Sequence, residues 1–248
     1  MIDIYVISLP ECEARRANAT ARLGSLNIPF EFYDAVSGDA GLRDGSLGGV
    51  DPEQWLIRCG REVTGGELGC FASHRNLWRR CVELDRPIMI MEDDFRLLDG
   101  FSNAVKTVEA EIDRLGYIRL QSETRARYVS TGRARGFEIR RYTYAPHSAM
   151  CYAITPRVAR AFVEQTRIAE EPVDVFVKQF WRHGQLIYGL APYTVTESAL
   201  SQDTKIPGRE KTRKPLSVRL RRLGTKLAWH AHRLSFNRLV AKRFPAKG

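Results

Sequence analysis

This 248-residue sequence lacks long hydrophobic runs, and its first residues argue against a secretory signal. Its apolar stretches are only a handful of residues long, whereas a transmembrane helix needs about 20. The first residues, MIDIYVISLPEC, contain Asp3 and lack the basic segment with which secretory signals begin. We therefore expect a cytoplasmic protein without a transmembrane helix.

Cysteine is also scarce. The five cysteines are an odd number without regular spacing, which argues against a disulfide framework. Cys59, Cys70, His74 and Cys81 are residue types that bind zinc, but their spacing matches no common zinc ligand pattern. Buried free thiols are the better interpretation.

Acidic residues are almost absent from the C-terminal part of the chain. The formal net charge is +10, and from Lys205 onward fourteen Lys and Arg residues accompany a single acid, Glu210. The preceding residues have 25 basic and 28 acidic side chains. The sequence thus predicts a mildly acidic folded domain over residues 1–204 and a basic tail over residues 205–248, so any argument for nucleic-acid or membrane binding concerns the tail alone.

The tail has the pattern of a basic amphipathic helix. Its leucines at helical spacing, flanked by arginine and lysine, are Leu216, Leu220, Leu223 and Leu227. Such a helix suits the anionic surface of a membrane. The alternative is a helix packed on the body of the protein through Trp229 and Phe236.

The periodicity of the remaining chain predicts an α/β fold. Asp3–Leu9 and Phe30–Val36 have the β-branched and aromatic composition of strands, and a helix over Glu11–Leu26 separates them. This βαβ beginning implies a parallel sheet. A long loop over residues 38–63, with a short helix over Pro52–Ile57, precedes a helix that runs from an N-cap at Thr64 to Leu84.

The second half of the chain continues this alternation. We predict helices over residues 101–115, after Pro156 and over Val173–Trp181, and strands near residues 117–121, 122–144, 151–154, 186–188 and 193–196. The expected architecture is a single α/β domain with a mainly parallel central sheet flanked by helices, followed by the basic helical tail.

Three consecutive carboxylates, Glu92, Asp93 and Asp94, follow the apolar run Ile88–Met91. A continuous apolar run is typical of a central parallel strand, and ligands bind beyond the carboxyl ends of such strands. Glu92 and Asp94 point the same way in an extended backbone and repel each other unless a cation compensates them. Mg²⁺ or Mn²⁺ prefers such oxygen ligands. The alternative is an exposed loop in which Asp94 caps the next turn.

The helix that begins at Gly65 presents an unusual stripe. A rotation of roughly 100° per residue places Glu67, Phe71, His74 and Trp78 on one face. A plain core helix has no need of Glu and His at such positions. The alternative for His74 is a buried histidine whose hydrogen bonds are satisfied.

Several short strings follow one another along this sequence, namely ISL (residues 7–9), RR (15–16), FYDAVSG (32–38), TGGELGCFASH (64–74), Trp78 and MEDD (91–94). In this order and spacing they resemble glycosyltransferase family 25, whose members include lipopolysaccharide β-galactosyltransferases of Gram-negative bacteria and collagen-modifying relatives. The segments at residues 148–156 and 171–174 also resemble the family, whereas Pro146-His147 departs from its more frequent glycine. The resemblance covers residues 3 to 198 and excludes the tail.

The resemblance implies a GT-A-like fold and an inverting transfer of a hexose, most often galactose, from a UDP-sugar. It also implies that Mn²⁺ or Mg²⁺ is held on the diphosphate by an acidic motif, which corresponds to residues 92–94. Asp94 is the first candidate ligand, and Glu92 or Asp93 completes the site directly or through water.

Further roles follow from the position of each residue. Asp174 is the candidate base that deprotonates the acceptor hydroxyl, with a helix N-cap as its alternative and with Glu197 and Glu67 in reserve. The candidate donor-binding residues are Arg15, Asp34, Glu67, Ser73, His74 and Asp93. The alternative for Arg15 is a solvated helix arginine, and the alternative for Asp34 is a turn residue.

The sequence thus predicts a lipopolysaccharide hexosyltransferase peripheral on the inner face of the inner membrane. Its expected partners are a UDP-sugar, a lipid-linked oligosaccharide acceptor and an anionic membrane surface, without nucleic acid. One alternative is a nucleic-acid- or membrane-binding protein that acts through the tail. Another is a metal-dependent phosphoesterase that uses the acid cluster, with His147 and His183 as further ligands.

Overall fold

The computed structural model describes residues 1–38, 40–43, 47–122, 124–198 and 215–243. The tail predicted over 205–248 is therefore described only from residue 215 to residue 243, and its remaining parts lie outside the described residues. Within the described residues, no helix combines the length and the apolar character that a membrane span requires.

The described strands form one large sheet and one small one. The large sheet contains, in spatial order, β2 (Glu31–Asp34), β1 (Asp3–Ser8), β3 (Ile88–Glu92), β8 (Cys151–Ile154), β5 (Tyr117–Arg119), β9 (Tyr188–Ala191), β7 (Phe137–Tyr144) and β6 (Arg127–Ala134). The small sheet pairs β4 (Phe95–Leu97) with β10 (Val195–Glu197).

The large sheet is mainly parallel in strand direction. β8 and β7 run opposite to the other six strands that the structure describes in it. β2, β1 and β3 form a parallel edge, as the βαβ beginning of the sequence predicts. The carboxyl ends of these three strands therefore meet at one edge of the sheet.

Helices cover both faces of the sheet. The described helices are α1 (Glu13–Gly24), α2 (Ala40–Arg43), α3 (Pro52–Cys59), α4 (Gly65–Leu84), α5 (Phe101–Leu115), α6 (Pro156–Gln165), α7 (Val173–Val177), α8 (Phe180–His183) and α9 (Leu216–Arg243). The predicted GT-A-like α/β architecture agrees with this arrangement.

Strand β3 shows why its sequence is continuously apolar. Ile88 and Ile90 belong to a core shared with α4 and α6, whereas Met89 and Met91 belong to a second core shared with α1 and α5. Successive side chains of a strand point to opposite faces, and both faces are covered here. The prediction of a central buried strand is confirmed.

The predicted and observed elements differ in several places. The predicted helix over Val173–Trp181 is wrong, because it divides into α7 and α8 at Lys178 and Gln179. The side chain of Gln179 donates to the carboxylate of Glu171 and to the carbonyl oxygen of Val175, which stabilises this break. The late strands lie further along the chain than predicted, and the short strand β4 was not predicted.

Helix α9 packs against the body of the protein. The Phe236 ring lies 5.6 Å from that of Phe180, and Asn237 donates to the carbonyl oxygen of Thr143 at 2.9 Å. The opposite face of α9 carries leucines that are 42–67% exposed, namely Leu216, Leu220, Leu223, Leu227 and Leu234. The helix thus combines the two predicted alternatives, a packed face and an exposed apolar stripe with basic flanks.

Candidate functional site

The three consecutive carboxylates lie at the carboxyl end of β3, as predicted. Glu92 is the last residue of the strand, and its backbone N–H donates to the carbonyl oxygen of Met150 at 2.8 Å. Neighbouring strands end nearby, β1 at Ser8 and β2 at Asp34. The site is thus built at the edge where these strands end, and each carboxylate has a different environment.

Asp93 is buried, and each of its carboxylate oxygens has a hydrogen-bond partner. Its Oδ2 accepts a hydrogen bond from the Ser8 hydroxyl at 2.6 Å, and its Oδ1 accepts one from Arg15 Nη1 at 2.8 Å. The charge of Arg15, which we predicted to contact the nucleotide, is therefore directed at Asp93. This ion pair fixes α1 against β3, and a nucleotide role for either residue stays a prediction.

Asp94 lacks such compensation. Burial, followed by the charge of Glu92, raises the pKa of Asp94 to about 7, and Arg15 only partly opposes this effect. The buried Oδ1 of Asp94 has no hydrogen-bond partner among the described residues. A cation at this position would neutralise the repulsion and satisfy the orphaned oxygen, so the residues fit a divalent metal.

Glu92 is linked to α4 by a chain of hydrogen bonds. His74 Nε2 lies 3.2 Å from Glu92 Oε1, and His74 Nδ1 lies 2.9 Å from the hydroxyl of Tyr152. That hydroxyl also accepts from Trp78 Nε1 at 2.8 Å. His74 is completely buried, and its second partner is a site carboxylate. Tyr152 was not predicted, because only strand pairing brings it beside β3.

A second possible metal position overlaps this chain. Cys70 Sγ, a His74 ring nitrogen and a Glu92 carboxylate oxygen all lie within 4.8 Å of one another. Thiolate and imidazole favour Zn²⁺, whereas the carboxylates of Glu92 and Asp94 favour Mn²⁺ or Mg²⁺. Cys59 and Cys81, which we considered as zinc ligands, are not in this group; burial raises the pKa of each to about 12.

Asp34 and Ser73 lie beside the end of β2. The exposed carboxylate of Asp34 accepts a hydrogen bond from Arg16, which also stacks on Phe32 at 4.8 Å. The Ser73 hydroxyl accepts from the backbone N–H of Val36 at 2.9 Å and donates to the Gly69 carbonyl oxygen. Ser73 therefore joins α4 to β2 in this structure, and its predicted contact with the donor stays a prediction.

Glu67 is buried at the start of α4, where it forms an ion pair with Arg61. The predicted capping by Thr64 is confirmed, since its hydroxyl accepts from the backbone N–H of Glu67 at 3.4 Å and donates to the Glu67 carboxylate at 3.0 Å. These bonds fix the first turn of the helix. Roles for Glu67 in donor binding or as a base stay predictions.

Asp174 lies in the first turn of α7, and its carboxylate faces the loop before β8. The Oδ2 atom of Asp174 lies 3.4 Å from both His147 Nδ1 and the backbone N–H of Ser148. Burial raises the pKa of Asp174, but the hydrogen bond and charge of His147, the N–H of Ser148 and the charge of Lys178 outweigh it, so the pKa is lowered. The N-cap alternative is wrong, because Pro172 occupies that position.

The buried side chain of Arg119 holds the loop that Asp174 faces. The guanidinium of Arg119 donates to the carbonyl oxygens of His147 and Ser148 at 2.7 Å each. Ser148 adopts a φ of +80°, a left-handed conformation that costs energy in a residue other than glycine. This loop also contains Met150, whose carbonyl oxygen accepts a hydrogen bond from the backbone N–H of Glu92. The loop therefore connects Asp174 to the acidic cluster.

The reserve carboxylate Glu197 lies near that cluster, since the backbone N–H of the next residue, Ser198, donates to the carbonyl oxygen of Asp94 at 2.8 Å. Its strand β10 pairs with β4 so that Glu197 is opposite Phe95. Its charge contributes to the raised pKa of Asp94. The phosphoesterase alternative gains no support from His183, because its Nε2 donates to the Val177 carbonyl oxygen and burial lowers its pKa to about 4.

Comparison with known proteins identifies one family. The family model described as "Glycosyltransferase family 25 (LPS biosynthesis protein)" matches residues 1–177. The lipooligosaccharide biosynthesis protein lic2B of Haemophilus influenzae is 38% identical over 94 residues, which are 38% of this chain and 34% of that protein.

Eukaryotic relatives differ in their stated activity. The procollagen galactosyltransferase 1-B of Xenopus laevis is 30% identical over 127 residues, which are 46% of this chain and 20% of that protein. The probable inactive glycosyltransferase 25 family member 3 of Rattus norvegicus is 34% identical over 116 residues, which are 44% of this chain and 20% of that protein. The chain thus spans about a fifth to a third of the length of these curated relatives.

Proposed function

The chain belongs to glycosyltransferase family 25. We propose that it transfers a hexose, with galactose as the first candidate, from a UDP-sugar to a hydroxyl group of a lipopolysaccharide or lipooligosaccharide acceptor. The transfer inverts the anomeric centre. The observation that carries this proposal is the uncompensated carboxylate of Asp94 beside Glu92, at the edge of the sheet where an α/β protein binds its ligand.

Asp94 and Glu92 would hold Mn²⁺ or Mg²⁺, and Asp93 would support them while it keeps Arg15 in place. The bound metal would stabilise the negative charge of the departing diphosphate. His74 orients Glu92 through the contact at 3.2 Å, and Tyr152 orients His74 in turn. Such outer contacts hold a metal-binding side chain in its geometry when the metal binds.

Asp174 would accept the proton of the acceptor hydroxyl. Its lowered pKa keeps the carboxylate ionised at neutral pH, and Ser148 N–H and His147 hold it toward the loop that also contacts Glu92. In an inverting transfer the acceptor attacks from the face opposite the leaving group, so the base and the metal ligands belong on different sides of the reacting carbon.

Membrane association completes the proposal. Helix α9 carries eight Lys and Arg residues and no acidic residue between Leu216 and Arg243, around its exposed leucine stripe. Such a helix lies in the interface of an anionic bilayer. We infer that the protein is peripheral on the inner face of the inner membrane, where a lipid-linked acceptor is accessible.

Calorimetric titration of UDP, UDP-galactose and UDP-glucose, with and without Mn²⁺, tests the proposed donor site. We expect Mn²⁺-dependent binding in the natural protein and its loss in Asp94→Asn, because the amide keeps the shape of the carboxylate but not its charge. Asp99→Asn is the matched control, since Asp99 is exposed just beyond β4. Binding that is independent of Mn²⁺ and unchanged in Asp94→Asn would remove the metal assignment.

The same titrations with Zn²⁺ distinguish the two metal positions. If Zn²⁺ supports binding and Cys70→Ser abolishes that effect, the metal is held by Cys70, His74 and Glu92. Dependence on Asp94 with indifference to Cys70→Ser would support the all-oxygen position.

A further inference from the structure

A cavity of about 150 Å³ lies between the end of β7, helix α8 and helix α9. Its wall contains three aromatic side chains, Tyr144, Trp181 and Trp229. It also contains three cationic side chains, Lys178, Lys226 and Arg233. None of these six residues has a role in the proposed donor site, and no sequence pattern brought them together, because α9 is far from the others in the chain.

The described residues offset the positive charge of this cavity only in part, since Asp174 and Glu171 act electrostatically on Lys178. Among the described residues, no carboxylate forms an ion pair with Lys178, Lys226 or Arg233. The Arg233 guanidinium lies instead over the ring of Tyr144, 4.5 Å from its centre, and 6.0 Å from that of Trp181. Burial lowers the pKa of both Arg233 and Lys178. Lys178 and Arg233 are partly buried, and neither has an ion-pair partner within the described part of the chain. Such cations are unfavourable, so the cavity is suited to an anionic ligand.

The cavity adjoins the candidate base. Lys178 Nζ, which lines the cavity, lies 2.7 Å from His147 Nε2, and His147 Nδ1 lies 3.4 Å from Asp174 Oδ2. One lysine and one histidine thus separate the cavity from the carboxylate that would deprotonate the acceptor.

We propose that this cavity binds a pyranose ring that carries an anionic group, a phosphate or a carboxylate, as part of the acceptor. The assignment to the acceptor rests on the proposed transferase function. A cavity of about 150 Å³ holds one six-membered ring. The aromatic walls pack against the C–H face of such a ring, and the cationic groups bind its anion and fix its orientation.

Tryptophan fluorescence provides a direct measurement of this binding. Trp181 and Trp229 line the cavity, whereas Trp55 and Trp78 are completely buried elsewhere. The probes are glucose 6-phosphate and glucuronic acid, which have a ring and an anion. Glucose has the ring alone, and glycerol 3-phosphate has the phosphate of a lipid headgroup without the ring. We expect the two acidic sugars to bind at least tenfold more tightly than either control compound.

A pair of lysine variants tests the role of the cavity. Lys226→Gln should weaken the binding of both acidic sugars by about tenfold, which corresponds to about 1.4 kcal/mol. Lys242→Gln is the matched control, because Lys242 is exposed on the same helix outside the cavity, and it should bind like the natural protein. Equal binding of glucose, or binding of glycerol 3-phosphate as tight as that of glucose 6-phosphate, would overturn the proposal.

Competition with UDP separates this proposal from the proposed function. Glucose 6-phosphate should bind equally well in the presence of saturating UDP and Mn²⁺ and in the Asp94→Asn variant. Displacement by UDP would place the sugar phosphate in the donor site and overturn the proposed cavity ligand. Binding of the acidic sugars by a protein that never binds a UDP-sugar would overturn the assignment to the acceptor and the transferase function together.

Discussion

Glu92, Asp93 and Asp94 are adjacent in the chain, yet each carboxylate has its own partners. Asp93 is paired with Arg15 and Ser8, and Glu92 contacts His74. The buried Oδ1 of Asp94 has no hydrogen-bond partner in the part of the chain that the structure describes. Of the three carboxylates, Asp94 therefore gains most from an added cation. The distinction could not be made from the sequence, in which three consecutive acids are equivalent apart from the alternation of a strand.

At the same scale, His147 should determine the pH dependence of the reaction. A base works when it is deprotonated, so activity falls as the pH decreases through the pKa of Asp174. His147 lowers that pKa, and burial opposes it. In His147→Ala the pKa of Asp174 therefore rises, and the acidic limb of kcat/KM should move to higher pH. The measurement is the pH profile of hexose transfer with the donor and acceptor far below saturation.

His232→Ala is the control for this change, since His232 is exposed on α9. Its profile should coincide with that of the natural protein. If the acidic limb stays in place in His147→Ala, Asp174 is not the group that titrates, and Glu197 becomes the first candidate for the base.

At the scale of elements, helix α4 depends on a close contact with the segment after β2. A Cβ atom added to Gly69 would lie 2.2 Å from the carbonyl oxygen of Val36, which is backbone and cannot turn away. This contact explains why position 69, the second glycine in the string GELGC, has no side chain. It also places Ser73 and His74, which follow on the same helix, beside the site.

Gly69→Ala should therefore destabilise the protein by about 1–3 kcal/mol, as overpacking of a core does, although alanine is intrinsically better than glycine in a helix by about 1 kcal/mol. Gly224→Ala provides the control, because, apart from the adjacent residues and backbone of α9 itself, no atom of the described residues lies within 4 Å of the added Cβ. That variant should be neutral or slightly stabilising. Chemical denaturation measures both, and equal stabilities would show that α4 can move away from Val36.

Much of the fold could be predicted because local signals agree with tertiary packing. Thr64 and Glu67 mark the start of α4, and the alternation of Ile and Met in β3 matches the two cores. The predicted single helix over Val173–Trp181 failed because the side chain of Gln179 bonds Glu171, a contact that helical propensity does not reveal.

The candidate site was predictable to a smaller extent. The strand ends and the stripe of α4 indicated Glu92, Asp94 and His74. Tyr152 and His147 reach the site only through the pairing of β8 and the loop before it, whose conformation depends on the buried Arg119. Such long-range contacts leave no periodic pattern in the sequence.

At the scale of the whole molecule, the distribution of charge agrees with the placement of α9. The mildly acidic domain faces one side of the helix, where Arg221 pairs with Glu53 and Arg222 donates to the Ile57 carbonyl oxygen. The leucine stripe points to solvent with further basic residues beside it. A peripheral protein oriented by this stripe would bring the cavity beside α9 close to the membrane surface.

The stripe should therefore provide much of the affinity for anionic vesicles. Burial of one leucine contributes about 1.5–3 kcal/mol, so Leu223→Ser should weaken binding to phosphatidylglycerol vesicles at least tenfold in a sedimentation assay. Leu239→Ser is the matched control, because Leu239 is 66% exposed on α9 but lies about 120° around the helix from Leu227. Hexose transfer to a soluble acceptor should be unchanged in both variants, because neither leucine lines the donor site or the cavity. If both variants bind vesicles as tightly as the natural protein does, charge alone attracts the helix. Raising the salt concentration should then release both proteins completely.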